Sequence, residues 1–167
     1  MNIVLAGDGP LPALLYPELI AHGYHVTAAL YNGDGEFSVI AEREGLPFMR
    51  VDLLAIPHIA QPFLRAARAD LLILANVTTL LPPAVFDAPT YGTICFHPSL
   101  LPRHRGKHAV RDTIAAGDAE TGVSVFQVDG GRPILQIARQ SWLDDPSIFG
   151  GVAAGLLGTP PHPAETL

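Results

Sequence analysis

The chain has 167 residues, of which 49% are hydrophobic and 16% are charged, and its formal net charge is −6 at pH 7. This composition predicts one folded domain with a sizeable apolar core and argues against a disordered chain. The negative charge and the lack of a basic run argue against an extended nucleic-acid-binding surface. No apolar stretch reaches the ~18 residues of a membrane span. The single cysteine excludes an intramolecular disulfide, so we expect a cytoplasmic protein.

Short apolar runs alternate with longer amphipathic segments along most of the chain. The pattern predicts strands at 2–6, 26–31, 48–51, 70–76, 93–97, 122–128 and 133–140, and helices at 11–22, 37–44, 59–68, 107–116 and from 145. This alternation predicts a Rossmann-like α/β domain, with a mostly parallel sheet of about seven strands flanked by helices. We assign residues 1–158 to this domain and residues 159–167 to a flexible tail.

The most informative segment runs from Cys95 to Gly106 and reads Cys-Phe-His-Pro-Ser-Leu-Leu-Pro-Arg-His-Arg-Gly. The apolar run before His97 predicts a strand that ends at this histidine and leads into a loop stiffened by two prolines. Open α/β sheets place their ligand sites outside the carboxyl ends of the strands, which makes His97 a candidate acid or base. Alternation along the strand places Cys95 on the same face, about 6.5–7 Å away.

Two further patterns have a chemical and a simpler interpretation. Gly7-x-Gly9 follows the first strand as in a dinucleotide-binding turn, but Pro12 stands where the third glycine of that motif would be. This departure favours a plain tight turn.

Cys95 could be a nucleophile with His97 as its base, as in a cysteine-dependent hydrolase. A cysteine in the middle of a buried strand is more often a small core residue, and we favour that interpretation.

Three histidines in or near the same loop also raise the question of a metal site. His97, His104 and His108 are close in sequence, and the last two are four residues apart. His104 lies between Arg103 and Arg105, whose charges discourage a cation, and a zinc site needs further ligands. We therefore expect no metal.

Several segments resemble the folate-dependent formyltransferase family. This family includes methionyl-tRNA formyltransferase, glycinamide ribonucleotide transformylase and the hydrolase domain of 10-formyltetrahydrofolate dehydrogenase. Leu80-Leu81-Pro82 is similar to the family's folate-pocket loop. The strongest similarity lies in His97-Pro98-Ser99-Leu100-Leu101-Pro102, in Arg105-Gly106, in Ala116-Gly117-Asp118 and in Thr121-Gly122-Val123-Ser124-Val125.

The resemblance implies transfer of the formyl group of 10-formyltetrahydrofolate to a small amine, such as an amino sugar, or hydrolysis of this formyl donor. His97 matches the family's catalytic histidine, and Ser99 would position the loop or a substrate hydroxyl. No nucleic-acid or membrane partner is expected, and a homodimer is left open. The residues expected at the folate pocket are Leu80, Leu81, Pro82, Gly106 and Val128.

Two positions depart from the family pattern. Cys95 stands where the family has an asparagine, whose amide stabilises the oxyanion, and a thiol is a poor substitute. The segment from Val128 to Leu135 is about three residues shorter than in the family, and the catalytic aspartate is missing from it. Asp129 is our candidate to replace that carboxylate, so the candidate catalytic residues are His97, Asp129, Cys95 and Ser99. These departures also allow a second hypothesis, a folate- or ligand-binding relative with impaired or altered chemistry.

Overall fold

A single seven-stranded sheet forms the centre of the protein. The computed structural model describes residues 1–128 and the backbone of 135–141. The strands are β1 (Asn2–Ala6), β2 (His25–Leu30), β3 (Phe48–Met49), β4 (Leu71–Ala75), β5 (Thr93–His97), β6 (Glu120–Gln127) and β7 (Leu135–Ser141). Their order is β3-β2-β1-β4-β5-β6-β7. Strands β1 to β5 are parallel, whereas β6 and β7 are antiparallel to their neighbours.

Helices cover both faces of this sheet. They are α1 (Pro10–Ala21), α2 (Glu36–Arg43), α3 (Pro57–Ala66), α4 (Pro83–Phe86) and α5 (Ala109–Ala115), with a 3₁₀ turn at Val51–Ala55. Apolar side chains of α1 and α2 pack with strand residues into one core cluster, and those of α3 and α4 pack with strand residues into a second. The predicted Rossmann-like α/β fold is therefore confirmed. No helix in the described part of the chain is long and apolar enough to cross a membrane.

The element boundaries differ from the sequence prediction in ways that have local causes. Helices α1 and α3 begin at Pro10 and Pro57, one and two residues earlier than predicted, because the fixed φ of proline suits the first helical position. The third strand ends at Met49 because a 3₁₀ turn begins at Val51. Helix α4 lies in a segment predicted as a loop, and its four residues are too short to show a helical period. The helix predicted from 145 and the predicted tail lie outside the described residues.

The strand order reverses between β1 and β4, which creates a crevice at the carboxyl edge of the sheet. Gly7 follows β1 at this edge and passes very close to the end of β4. A Cβ atom on Gly7 would lie 1.8 Å from the carbonyl oxygen of Ala75, and φ at this residue is 156°. A glycine is therefore required here, because no other residue allows the two chain segments to approach so closely.

Candidate active site

His97 is the last residue of β5 and lies at the carboxyl edge of the sheet. Its Nε2 atom lies 3.0 Å from the carbonyl oxygen of His104. A carbonyl oxygen can only accept a hydrogen bond, so Nε2 carries the proton and donates it. The Nδ1 atom has no hydrogen-bond partner among residues 1–128. In the neutral ring this nitrogen is the one that can accept a proton.

Two buried serines stabilise the loop after His97, and one of them, on β6, joins the loop to that strand. The hydroxyl of Ser99 donates to the carbonyl oxygen of Arg103 at 2.8 Å. The hydroxyl of Ser124 donates to the carbonyl oxygen of Ser99 at 2.7 Å and accepts a bond of 3.0 Å from the N–H of Leu101. Both serine residues are fully buried. The contacts of Ser99 are thus those of a residue that positions the loop.

A second set of contacts holds the far end of the same loop. The Nε2 atom of His104 lies 2.8 Å from Oδ2 of Asp118, and the Arg103 guanidinium lies 2.9 Å from the same oxygen. In the sequence His104 is a candidate metal ligand, and Asp118 has no predicted role. The one available signal was the similarity of Ala116-Gly117-Asp118 to the family pattern.

The Cys95 side chain packs against the core cluster formed by β1, β2, β4, α3 and α4. Burial raises the pKa of its thiol to about 12, so the thiol stays protonated at neutral pH. Its Sγ atom makes a weak contact of 3.5 Å with the carbonyl oxygen of Phe96. A nucleophilic cysteine requires a thiolate, and this environment opposes one. The geometry favours the core interpretation.

The loop between β4 and α4 carries no charged side chain and exposes one large apolar residue. It reads Asn-Val-Thr-Thr-Leu-Leu-Pro from Asn76 to Pro82, and Leu80 is 89% exposed. Leu81 and Val128 pack against the same core cluster as Cys95. Four of the predicted pocket residues therefore lie on this loop or on the cluster beneath it. Gly106 lies in the exposed segment before α5, with a φ of 92°.

Two points of the sequence analysis remain, the possible metal site and the role of Asp129. Among residues 1–128, no group of three His, Cys, Asp or Glu side chains is placed to hold a metal ion. The ring of His104 is instead bonded to Asp118. Asp129 lies outside the described residues, so its approach to His97 stays a prediction.

A separate cleft of about 310 Å³ lies between the turns that follow β1 and β2. Its lining includes Asp8, Asn32 and Asp34, and it contains no lysine or arginine. The carboxylate of Asp8 accepts hydrogen bonds from the backbone N–H of Asn32 at 2.8 Å and from its amide at 3.2 Å. Pro10 and Pro12 remove two N–H groups from the start of α1. This turn therefore offers a poor cradle for a diphosphate, which disfavours the dinucleotide interpretation.

Comparison with known proteins shows the family to which the chain belongs. A profile described as formyl transferase matches residues 54–140, which is more than half of the chain. The chain belongs to the formyl transferase family. It is 42% identical over 153 residues to a methionyl-tRNA formyltransferase of Methylobacterium sp. (strain 4-46), covering 83% of this chain and 49% of that protein. It is 33% identical over 150 residues to the cytosolic 10-formyltetrahydrofolate dehydrogenase of Xenopus laevis, covering 84% of this chain and 16% of that protein.

Solved structures of the family share the fold. Phosphoribosylglycinamide formyltransferase from Streptococcus pneumoniae superposes with a TM-score of 0.72 at 20% identity, covering 93% of this chain and 92% of that chain. A formyltetrahydrofolate deformylase from Pseudomonas syringae pv. tomato gives a TM-score of 0.64 at 19% identity, covering 92% of this chain and 55% of that chain. The family resemblance found in the sequence is thus confirmed. The chain spans about half the length of the matched methionyl-tRNA formyltransferase and about one sixth of the dehydrogenase.

Proposed function

We propose that this chain removes the formyl group of 10-formyltetrahydrofolate and transfers it to an amine or to water, with His97 as the general acid and base. The observation that carries the proposal is the geometry of the His97 ring. Its Nε2 proton is committed to the His104 carbonyl, so Nδ1 is the nitrogen that can take up a proton. The ring stands at the edge of the sheet where open α/β folds bind ligands.

A single histidine ring can carry out both proton transfers of this reaction. An amine or water adds to the formyl carbon, and its proton passes to Nδ1 of His97. The bond between the formyl carbon and N10 then breaks, and the same proton is delivered to N10. The products are tetrahydrofolate and either an N-formyl amine or formate. Asp129 is the proposed carboxylate that would stabilise the protonated ring.

The loop between β4 and α4, which has no charged side chain and an exposed leucine, fits a flat and largely uncharged ring system. Leu80 exposes nearly all of its side chain, while Leu81 and Val128 are half-buried on the cluster below it. An exposed leucine on a loop without charges is stabilised when an apolar ligand covers it. We assign the folate contact to Leu80, Leu81, Pro82, Gly106 and Val128.

The replacement of the family asparagine supports a second candidate function. The protonated and largely buried thiol of Cys95 cannot replace an amide donor at the developing oxyanion. Loss of one such donor costs on the order of 10²–10³ in rate. A ligand-binding relative that retains the folate pocket but turns over very slowly is therefore the alternative to the enzyme.

Two observations point to different acceptors. The cleft beside β1 lies at the same carboxyl edge of the sheet as His97 and carries the carboxylates of Asp8 and Asp34 without a basic side chain, so as an acceptor site it favours a small amine without a phosphate group. The 42% identity to a methionyl-tRNA formyltransferase favours an amine carried by tRNA. The small amine, such as an amino sugar, is our first proposal because the acidic cleft opposes a polyanion.

The experiment combines a binding and a turnover measurement on the purified protein. Isothermal titration with a stable formyltetrahydrofolate analogue measures binding to the proposed folate pocket. Formation of tetrahydrofolate from 10-formyltetrahydrofolate is then followed with water alone, with a panel of amines and amino sugars, and with methionyl-tRNA. Binding with turnover supports the enzyme and identifies the acceptor class. Binding without turnover supports the ligand-binding relative, and the absence of binding contradicts both.

A further inference from the structure

A continuous series of contacts leads from His97 to a carboxylate that has no part in the proposed reaction. Nε2 of His97 donates to the His104 carbonyl at 3.0 Å, and the His104 ring lies 2.8 Å from Oδ2 of Asp118. His104 therefore touches the catalytic candidate with its backbone and the carboxylate with its side chain. Asp118 is 14 residues further along the chain, beyond the end of α5.

The pair formed by His104 and Asp118 is shielded from solvent. Their side chains are only 17% and 19% exposed, so water competes weakly for this hydrogen bond. Arg103, which contacts the same carboxylate oxygen, is 51% exposed. The contact between His104 and Asp118 is thus the better-protected anchor at this end of the loop.

His104 also has a backbone conformation that needs support from its surroundings. Its φ is 51°, in the left-handed region that a residue with a Cβ atom seldom adopts. Such a conformation persists where neighbouring contacts hold the residue in place. The contact between its ring and Asp118 is a restraint of that kind. Without it, the carbonyl group of His104 can turn away from His97.

We propose that Asp118 is a positioning residue for His97 and acts through His104. By holding the His104 ring, it keeps the His104 carbonyl on Nε2 of His97. That carbonyl fixes the tautomer of the neutral His97 ring, with the proton on Nε2 and the lone pair on Nδ1. The role of Nδ1 in turnover rests on the proposed function, whereas the fixed tautomer does not.

The test is the tautomer of His97, measured by ¹⁵N NMR of the imidazole nitrogens and assigned with His97→Asn. In the natural protein at a pH where the ring is neutral, we expect a protonated Nε2 and an unprotonated Nδ1. In Asp118→Ala, we expect a mixture of both tautomers and at least a tenfold loss of kcat with a smaller change in KM. The matched control is Asp112→Ala, which removes an acidic residue of α5 that pairs with Arg111 on the surface. This control should keep the His97 tautomer and the kcat of the natural protein.

A second variant covers the case in which Asp118→Ala fails to fold. His104→Phe fills the space of the ring but cannot bond to Asp118, and we expect the same mixture of tautomers. A folded Asp118→Ala or His104→Phe protein with the unchanged His97 signature overturns the inference, even if its turnover falls. If the natural protein shows no turnover at all, the proposed function fails while the NMR result still decides this inference.

Discussion

The carbonyl oxygen of Ser99 accepts a hydrogen bond of 2.7 Å from the hydroxyl of Ser124, which joins the loop after His97 to the neighbouring strand β6. The same hydroxyl accepts from the N–H of Leu101. One side chain thus satisfies two backbone groups of a loop that has no regular secondary structure. The bond restrains the loop two residues after His97, while the pairing of β5 with its neighbours holds the histidine from the other side.

We predict that Ser124→Ala destabilises the protein. It removes one donor and one acceptor from a fully buried site and leaves the Ser99 carbonyl and the Leu101 N–H with only their mutual hydrogen bond of 3.2 Å, so the free energy of unfolding should fall by about 1–2 kcal/mol. Urea unfolding measures this change. Thr90→Ala, at an exposed position, is the control and should change stability by less than about 0.5 kcal/mol. Equal stability of the two variants would show that the bond to Ser99 contributes little.

The buried thiol of Cys95 gives a prediction for alkaline pH. Burial raises its pKa from 9.0 to about 12 in the folded protein. Above pH 9 the unfolded chain loses this proton while the folded chain keeps it, so stability falls as pH rises towards 12. The hydroxyl of Cys95→Ser does not titrate in this range. Between pH 9 and 10.5 the free energy of unfolding of this variant should therefore fall less steeply than that of the natural protein, by about 1 kcal/mol per pH unit. Parallel curves for the two proteins would mean that the thiol is not buried.

Substitution of the exposed Leu80 tests the proposed folate contact. Leu80→Asp should weaken binding of a stable formyltetrahydrofolate analogue by about tenfold or more, because an apolar contact is replaced by a charge. Its stability should change by less than about 0.5 kcal/mol, since the side chain is 89% exposed. Isothermal titration and urea unfolding measure the two effects.

Val39→Asp is the matched control for this experiment. Val39 is an apolar residue on α2 that is 63% exposed and lies away from the loop between β4 and α4. Binding should be unchanged in this variant. If both variants bind as tightly as the natural protein, the folate contact does not involve Leu80.

Sequence patterns located the strands well because the central strands are buried on both faces. β1 and β4 are continuous apolar runs, and the structure places them within one residue of their predicted ends. The starts of α1 and α3 were shifted because the apolar period begins later than the helix does. A helix of a single turn, such as α4, has no period to detect.

The site was only partly predictable for a different reason. The position of His97 at the end of β5 follows from local pattern, and the sequence prediction of that strand is confirmed. The contacts that fix it join residues 14 or 25 positions apart in the chain, as in His104 with Asp118 and Ser99 with Ser124. No local periodicity encodes such pairs, since they arise when β6 is laid beside β5. The roles of Asp118 and Ser124 therefore required the structure.

The central claim is that His97 moves the proton during formyl removal. The most direct measurement compares tetrahydrofolate formation from 10-formyltetrahydrofolate in the natural protein, in His97→Asn and in His58→Asn, an exposed histidine on α3 that serves as the control. We predict that His97→Asn lowers kcat by about 10²–10⁴ without loss of analogue binding, while His58→Asn matches the natural protein. Turnover in folded His97→Asn equal to that of the natural protein would contradict the account.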